Sequence, residues 1–352
     1  MISENDDSVR EELQNFIKKN REKLIEAREF VREQKRRISA IWEDSAKIYM
    51  YLSNVKIMIV TANQIECETL FSFFAEDSGY DLVKIGKDDV VYTFFKINEC
   101  KAVHIEPTNI GAYSQGGTAE TIRNAIKVAK PNVILSLGVG FGADTNKSRL
   151  GDVMVGRQHF SYDKSVKAVE DGISIKVLHV EEPDNYMLSR FKSSINTEVR
   201  MTGALLDTSF DILLGNMVTG EFVIDSKSFM SMILKPFELF GIIGGEMEAY
   251  GIFEEVKKCK NESRGKEISH CIMIKGICDR GSGKNDVEST SDFGVGKNDI
   301  QRYAMINACE VCKKFLNSRE MFSDLEIRGL RKNVWSKLED KGIKSKKMRV
   351  KF

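Results

Sequence analysis

Apolar residues recur every seven positions early in the chain, at Ile17, Leu24, Val31 and Ile38, with Leu13, Ala27, Ile41 and Ile48 on the neighbouring seam. That spacing predicts a long charged helix over residues 8–50, although Asn20 and Gln34 break the second seam and a strict coiled coil does not follow. The stripe fits oligomerisation, docking to a partner, or a helix capping its own core. The pattern changes at Val55. Residues 56–60 read as a short buried strand leading into Thr61-Ala62-Asn63, and helical periodicity follows over 64–74. Strands are predicted over 90–97, 102–105, 133–137 and 151–155, and a helix over 117–129, stopped by Pro131. A last helical stripe joins Ile300, Tyr303, Ala304, Ala308, Val311 and Phe315. Strands alternating with helices over this length predict an α/β sandwich around a parallel or mixed sheet.

Composition narrows the class. The 352 residues are 42% hydrophobic and 30% charged, with a formal net charge of +1, so neither nucleic-acid nor bulk membrane binding is expected. No apolar run is long enough for a spanning helix. The first residues are polar and acidic, without a secretory pattern, and seven scattered cysteines point to a reducing, cytoplasmic setting. Cys309-x-x-Cys312 lies in a helical pattern without a second ligand pair and reads as packing, so no metal or cofactor is expected. Residues 319–352 end in a basic stretch that reads as a tail.

Candidate chemistry lies where carboxylates stand at the ends of elements. Gly244-Gly245-Glu246-Met247-Glu248-Ala249 turns from an apolar segment into a helix, and Ile277-Cys278-Asp279 ends a strand-like run. Acids so placed face a cleft, where they hold hydroxyls or move a proton. Gly138-Val139-Gly140-Phe141-Gly142-Ala143 satisfies a dinucleotide fingerprint, with Asp163 twenty residues on. That motif needs a helix starting at the turn, whereas this one runs into Asp144-Thr145-Asn146-Lys147 and another strand. The glycines instead imply close passage of backbone by a flat ligand or another strand.

From about 55 to 317 the chain resembles the nucleoside phosphorylase superfamily, above all its hydrolytic branch that includes 5′-methylthioadenosine/S-adenosylhomocysteine nucleosidase. Seven segments match in order: residues 60–66, Asn109-Ile110-Gly111, Leu137 to Gly142, Leu150-Gly151-Asp152-Val153, Glu246-Met247-Glu248, Ile277-Cys278-Asp279, and Lys297 to Ala304. The resemblance implies a three-layer α/β/α sandwich with a central mixed sheet over 53–318; the helical extension (1–52) predicted from the apolar spacing, for oligomerisation or docking, lies outside it.

It also implies roles. Asp279 would protonate or hydrogen-bond the departing purine, and Glu66 would polarise the attacking water. Glu248, in the segment Glu246 begins, would accept from the ribose hydroxyls above a floor formed by Met247. Phe222 or Val223 would flank the base beside Gly140. Asn109 and Gly111 would form the turn by the water or phosphate pocket. Lys275 stands where that branch has an arginine, and Cys278 where it has a serine. Arg280, Lys284 and Lys297 would cap the site or reach phosphates, or belong to a plain surface loop.

Ile105-Glu106-Pro107-Thr108 offers no arginine for phosphate, which favours water over phosphorolysis. The expected activity is hydrolysis of an adenine-type nucleoside or nucleotide, with the nucleotide-depleting bacterial defence role of some superfamily members with appended domains as a secondary expectation that the resemblance implies. A phosphorylase and a nucleoside-sensing module are the alternatives. A homo-oligomer is expected, with His159 and Phe160 as donors across its interface.

Overall fold

The computed structural model describes residues 4–53, 55–97, 100–108, 117–169, 172–183, 185–196, 200–221, 225–263, 270–282 and 294–318. Asn109, Gly111, Phe222, Val223, Lys284 and the basic stretch 319–352 lie outside them. The first helix, α1 (Glu4–Arg37), ends earlier than its heptads predict. Lys35, Arg36 and Arg37 fill its last turn, where cations oppose the helix dipole favourably. The β-branched and aromatic residues that follow form a strand, β1 (Ser39–Trp42), and a short helix, α2 (Ile48–Leu52), completes the segment.

β2 (Ile57–Val60) is buried throughout and leads into α3 (Gln64–Phe73), which is N-capped by Asn63. β3 (Asp81–Lys87), β4 (Val90–Ile97) and β5 (Cys100–Ile105) make an antiparallel meander. α4 (Thr118–Ala129) closes on Lys130 in the left-handed region, φ 45°, directly before Pro131. Then come β6 (Val133–Gly142), β7 (Val153–Ser161), α5 (Tyr162–Ser165) and the hairpin β8 (Val166–Val169) and β9 (Gly172–Ile175). β10 (Val180–Glu181), α6 (Asn185–Ser194), β11 (Met201–Gly203), β12 (Thr208–Phe210) and β13 (Ile212–Thr219) follow. The last elements are α7 (Lys227–Leu234), β14 (Ile242–Glu246), α8 (Ala249–Glu262), β15 (His270–Asp279) and α9 (Lys297–Leu316).

The mixed sheet runs β1-β3-β4-β5-β2-β6-β14-β13-β7-β10, and β15 pairs with both β6 and β7. That double pairing closes β6, β14, β13, β7 and β15 into a ring. Register shifts between Gly215 and Met217, and between Ile277 and Asp279, supply the bends that closure needs. Alternation along β2 and β6 sorts the core into two layers. Met58, Val60 and Ile134 face the cluster containing Ile122 of α4 and Ile252 of α8. Ile57, Ile59, Val133, Leu135 and Leu137 face Leu70 of α3, Phe191 of α6 and Met305 of α9. The predicted three-layer sandwich is therefore present, with part of its sheet curled shut.

α1 lies outermost, against α9 and α3. Its stripe of Leu13, Ile17, Leu24, Ala27 and Val31 is buried on the chain's own core. His159 and Phe160, expected at a subunit interface, are instead inside: His159 packs on Phe253 and Phe160 on Phe237 and Phe240. Both follow the strand alternation of β7, which is covered on each side. Among the described residues the cysteines form no disulfide, and Cys309 and Cys312 are buried in α9. Among the described residues no helix is long and apolar enough to cross a membrane.

Candidate active site

The glycine-rich end of β6 organises the site. Gly138, Gly140 and Gly142 share one face of the strand, and each leaves room for a different group. A methyl group on Gly138 would sit 2.6 Å from Glu66 Oε1, and one on Gly140 would sit 2.5 Å from the Gly245 carbonyl and 3.6 Å from Glu246 Cβ. One on Gly142 would overlap the Arg280 guanidinium. The stretch that imitates a dinucleotide fingerprint is thus a stair of three gaps, filled by side chains and backbone from elsewhere in the chain.

Glu66 enters from the first turn of α3. Asn63 caps that helix by accepting from the Ile65 and Glu66 amides at 3.0 and 3.1 Å, which fixes where Glu66 points. The Glu66 carboxylate accepts from the amides of Ala62 (2.6 Å) and Val139 (2.8 Å) and is buried. Burial pushes its pKa above the ordinary carboxylate value; Lys275 opposes the rise and the Glu248 charge adds to it.

Glu246 and Glu248 bracket the junction of β14 and α8. Glu246 Oε2 accepts from the Glu248 and Ala249 amides, both at 2.8 Å, and so caps α8. Its Oε1 is buried without a hydrogen-bond partner among the described residues. Burial, then the neighbouring Glu248 charge, push the Glu246 pKa up to about 7. Lys275 of β15 donates to Glu248 at 2.9 Å with its side chain only 1% exposed. Burial disfavours the ammonium, but Glu248, Glu66 and Glu246 together outweigh it and hold Lys275 charged above its ordinary value. Three acids thus share one buried cation.

Asp279 stands one step further along β6. It ends β15 opposite Phe141, while Gly245 of β14 faces Phe141 from the other side. Its carboxylate accepts from the Gly281 amide at 2.6 Å and the Cys278 thiol at 3.3 Å. It opens on a narrow cavity lined by Val9, Glu12, Leu13, Arg280 and Lys297. Met247, half-buried, lies between the two glutamates. A second cavity of about 540 Å³ adjoins the end of β6, lined by Gly142, Ala143, Met230, Leu234, Ile242 and Arg280 among others.

Of the residues singled out in the sequence, the structure brings Glu66, Glu246, Glu248 and Lys275 together, with Gly140 against Glu246, and sets Asp279 further along the same strand end. Arg280 differs from its expected part as a free cation. Its Nε and one terminal nitrogen bind the Glu12 carboxylate (3.2, 3.1 and 2.6 Å), and the guanidinium also binds Ser148 Oγ (2.9 Å) and carbonyl oxygen (2.7 Å). Glu12 and Ser148 carried no signal in the sequence, because they meet Arg280 only across 268 and 132 residues. His104, also unforeseen, backs Thr61 at 2.9 Å and is held neutral by burial, its pKa lowered to about 3.

No family model matches the sequence. The Death domain-containing ATP nucleosidase of Amphimedon queenslandica is 29% identical over 181 residues, which cover 47% of this chain and 32% of that protein. The match thus spans about a third of that relative's length. Among solved structures, 5′-methylthioadenosine/S-adenosylhomocysteine nucleosidase from Neisseria meningitidis, in complex with methylthio-immucillin-A, superposes with a TM-score of 0.55 at 15% identity, covering 74% of this chain and 98% of that one. Futalosine hydrolase of Helicobacter pylori gives 0.56 at 15% identity, over 75% and 98%. The Colwellia psychrerythraea nucleosidase in complex with adenine gives 0.56 at 16%, over 75% and 95%. The chain shares the fold of these nucleosidases and of futalosine hydrolase.

Proposed function

We propose that the chain is a purine nucleosidase, hydrolysing the N-glycosidic bond of an adenine-type nucleoside or nucleotide. The observation that carries this reading is the buried cluster of Glu66, Glu246 and Glu248 around a single Lys275 at the end of β6. Breaking a sugar–base bond builds positive charge at the anomeric carbon. A desolvated site with more carboxylate than ammonium favours that charge as it develops, because few waters screen it. Glu248, held in place by its bond from Lys275, accepts from the ribose 2′- and 3′-hydroxyls. Glu66, whose raised pKa makes it a stronger base, takes a proton from water. Asp279 hydrogen-bonds or protonates the leaving purine, and the 540 Å³ cavity beside Gly142 receives its outer edge.

The same charge pattern favours water over phosphate as the nucleophile. Phosphate would enter a site whose cation among the described residues, Lys275, is already paired with Glu248. ATP is the first substrate to test, since the Amphimedon relative carries it in its name and a neighbouring structure binds adenine. A nucleotide-depleting role follows if ATP is hydrolysed fast. The reading includes a cytosolic homo-oligomer, for which the open edge of β1, with Ile41 and Trp42 exposed, offers a surface; light scattering decides it.

The test is to incubate purified protein with adenosine, methylthioadenosine, S-adenosylhomocysteine, AMP and ATP, with and without phosphate. Free adenine without phosphate is expected. Release that requires phosphate would make the protein a phosphorylase, and no release from any substrate would leave a nucleoside-sensing module.

A further inference from the structure

α1 touches the catalytic segment at two places. Near its start, Glu12 grips Arg280, the residue after Asp279; the Arg280 side chain is only 5% exposed. Further along, Arg28 donates to the Gly294 carbonyl at 2.9 Å and to Asp299 at 3.3 Å, and Asp299 in turn caps the Gly296 amide at the start of α9. At 1.5 Å per residue these two grips lie roughly 24 Å apart along the helix. α1 therefore holds both ends of the stretch that links Asp279 to α9. Between the grips, Phe16 sets its ring edgewise on Tyr303 at 5.7 Å, and the apolar stripe seats the helix.

The first grip bears directly on Asp279. Arg280 is wedged under the end of β6, in the gap at Gly142, with Ser148 fixing one side and Glu12 the other. Gly281 then turns with φ +68° and sends its amide back to the Asp279 carboxylate at 2.6 Å. Removing Glu12 leaves a buried guanidinium short of its counter-charge, and the backbone that aims Asp279 loses one of its two anchors. Val9 and Leu13 also wall the cavity on which Asp279 opens.

We propose that Glu12 and Arg28 are positioning residues for the reaction, so that turnover depends on the seating of α1. The proposal rests on the nucleosidase reading above for its chemistry, but its geometry is separately measurable. The experiment compares full-length Glu12→Ala, Glu12→Gln, Arg28→Ala, Arg280→Ala and Glu12→Ala/Arg280→Ala with the parent. The readouts are kcat, KM, melting temperature and amide exchange at Gly281 and Ser282.

Glu12→Ala is expected to lower kcat by roughly tenfold to a hundredfold, the cost of a small misplacement of a reacting group. KM should move by less than about threefold, because a transition-state contact is affected rather than uniform binding. Glu12→Gln, which still accepts from the guanidinium, should recover part of the loss and keeps the test alive if Glu12→Ala folds poorly. Arg28→Ala should lower kcat more mildly, and the double variant should be no worse than its poorer single. Lys23→Ala, which breaks the exposed pair with Glu26 and touches neither grip, is the control and should match the parent.

Parental kcat in Glu12→Ala and Glu12→Gln, even with a lowered melting temperature, would reduce α1 to a strap and overturn the proposal. If the parent itself releases no base, the nucleosidase reading fails, and exchange alone decides. Faster exchange at Gly281 and Ser282 in Glu12→Ala then supports the grip, and unchanged exchange overturns it.

Discussion

At the scale of single residues, the site turns on how one ammonium is divided among three carboxylates. Lys275 is a point charge on a flexible stem and makes one short contact, to Glu248. It still opposes the rise in the Glu66 pKa. Lys275→Met would therefore leave Glu248 buried without its partner, and loss of one partner of a buried pair typically costs about 3–5 kcal/mol. The expected result is a lower melting temperature together with lost activity, read by calorimetry and base release. Glu66→Gln tests the chemistry. The amide keeps a single acceptor oxygen, so one of the Ala62 and Val139 amides, which donate to different Glu66 oxygens, loses its partner: stability should drop by about 1–3 kcal/mol while kcat falls by about 10²–10⁴, the usual worth of a general base. A variant with near-parental turnover would remove Glu66 from the mechanism.

At the scale of elements, the stair on β6 makes a sharper test than any acid. Gly140→Ala adds only a methyl group, but that methyl meets a backbone carbonyl at 2.5 Å, and β14 must move to admit it. Since β14 delivers Glu246 and the start of α8 delivers Glu248, activity should drop further than stability, as measured by base release against thermal melting. Leu24→Ala on α1 should lower the melting temperature, costing about 2–5 kcal/mol through a cavity under the stripe that seats the helix. Much of this was legible beforehand because strands, caps and glycine turns are local: β4 coincides with its predicted strand, and Asn63 and Pro131 bound their helices. What stayed hidden was long-range. Nothing local says that Ile38 to Trp42 will leave a heptad to pair with β3, or that β15 will close the ring. The decoy fingerprint misleads for the same reason, since its glycines answer to Glu66, Gly245 and Arg280 rather than to their own neighbours.

At the scale of the whole molecule, the shared charge sets stability and activity against each other as pH changes. In the unfolded chain Glu246 releases its proton near the ordinary value of 4.5, while in the folded chain it holds it to about 7. Between those values the folded state carries more protons, so stability falls as pH rises, by at most about 1.4 kcal/mol per unit for one such group. The contribution is fully present below 4.5, is lost through 7, and changes no further above. Glu66, raised in the same direction, must lose its proton to activate water, so kcat/KM should climb over a window above the ordinary carboxylate range. Glu246→Gln isolates the first effect, because its amide oxygen can take over the two α8 amides while its NH2 occupies the place of the unpartnered Oε1. Melting of that variant and the parent should coincide near pH 4.5, and the variant should melt higher at pH 8. Equal melting of the two proteins at pH 8 would mean that Glu246 is not the group that holds the proton, and the account of three acids around one lysine would need another owner for it.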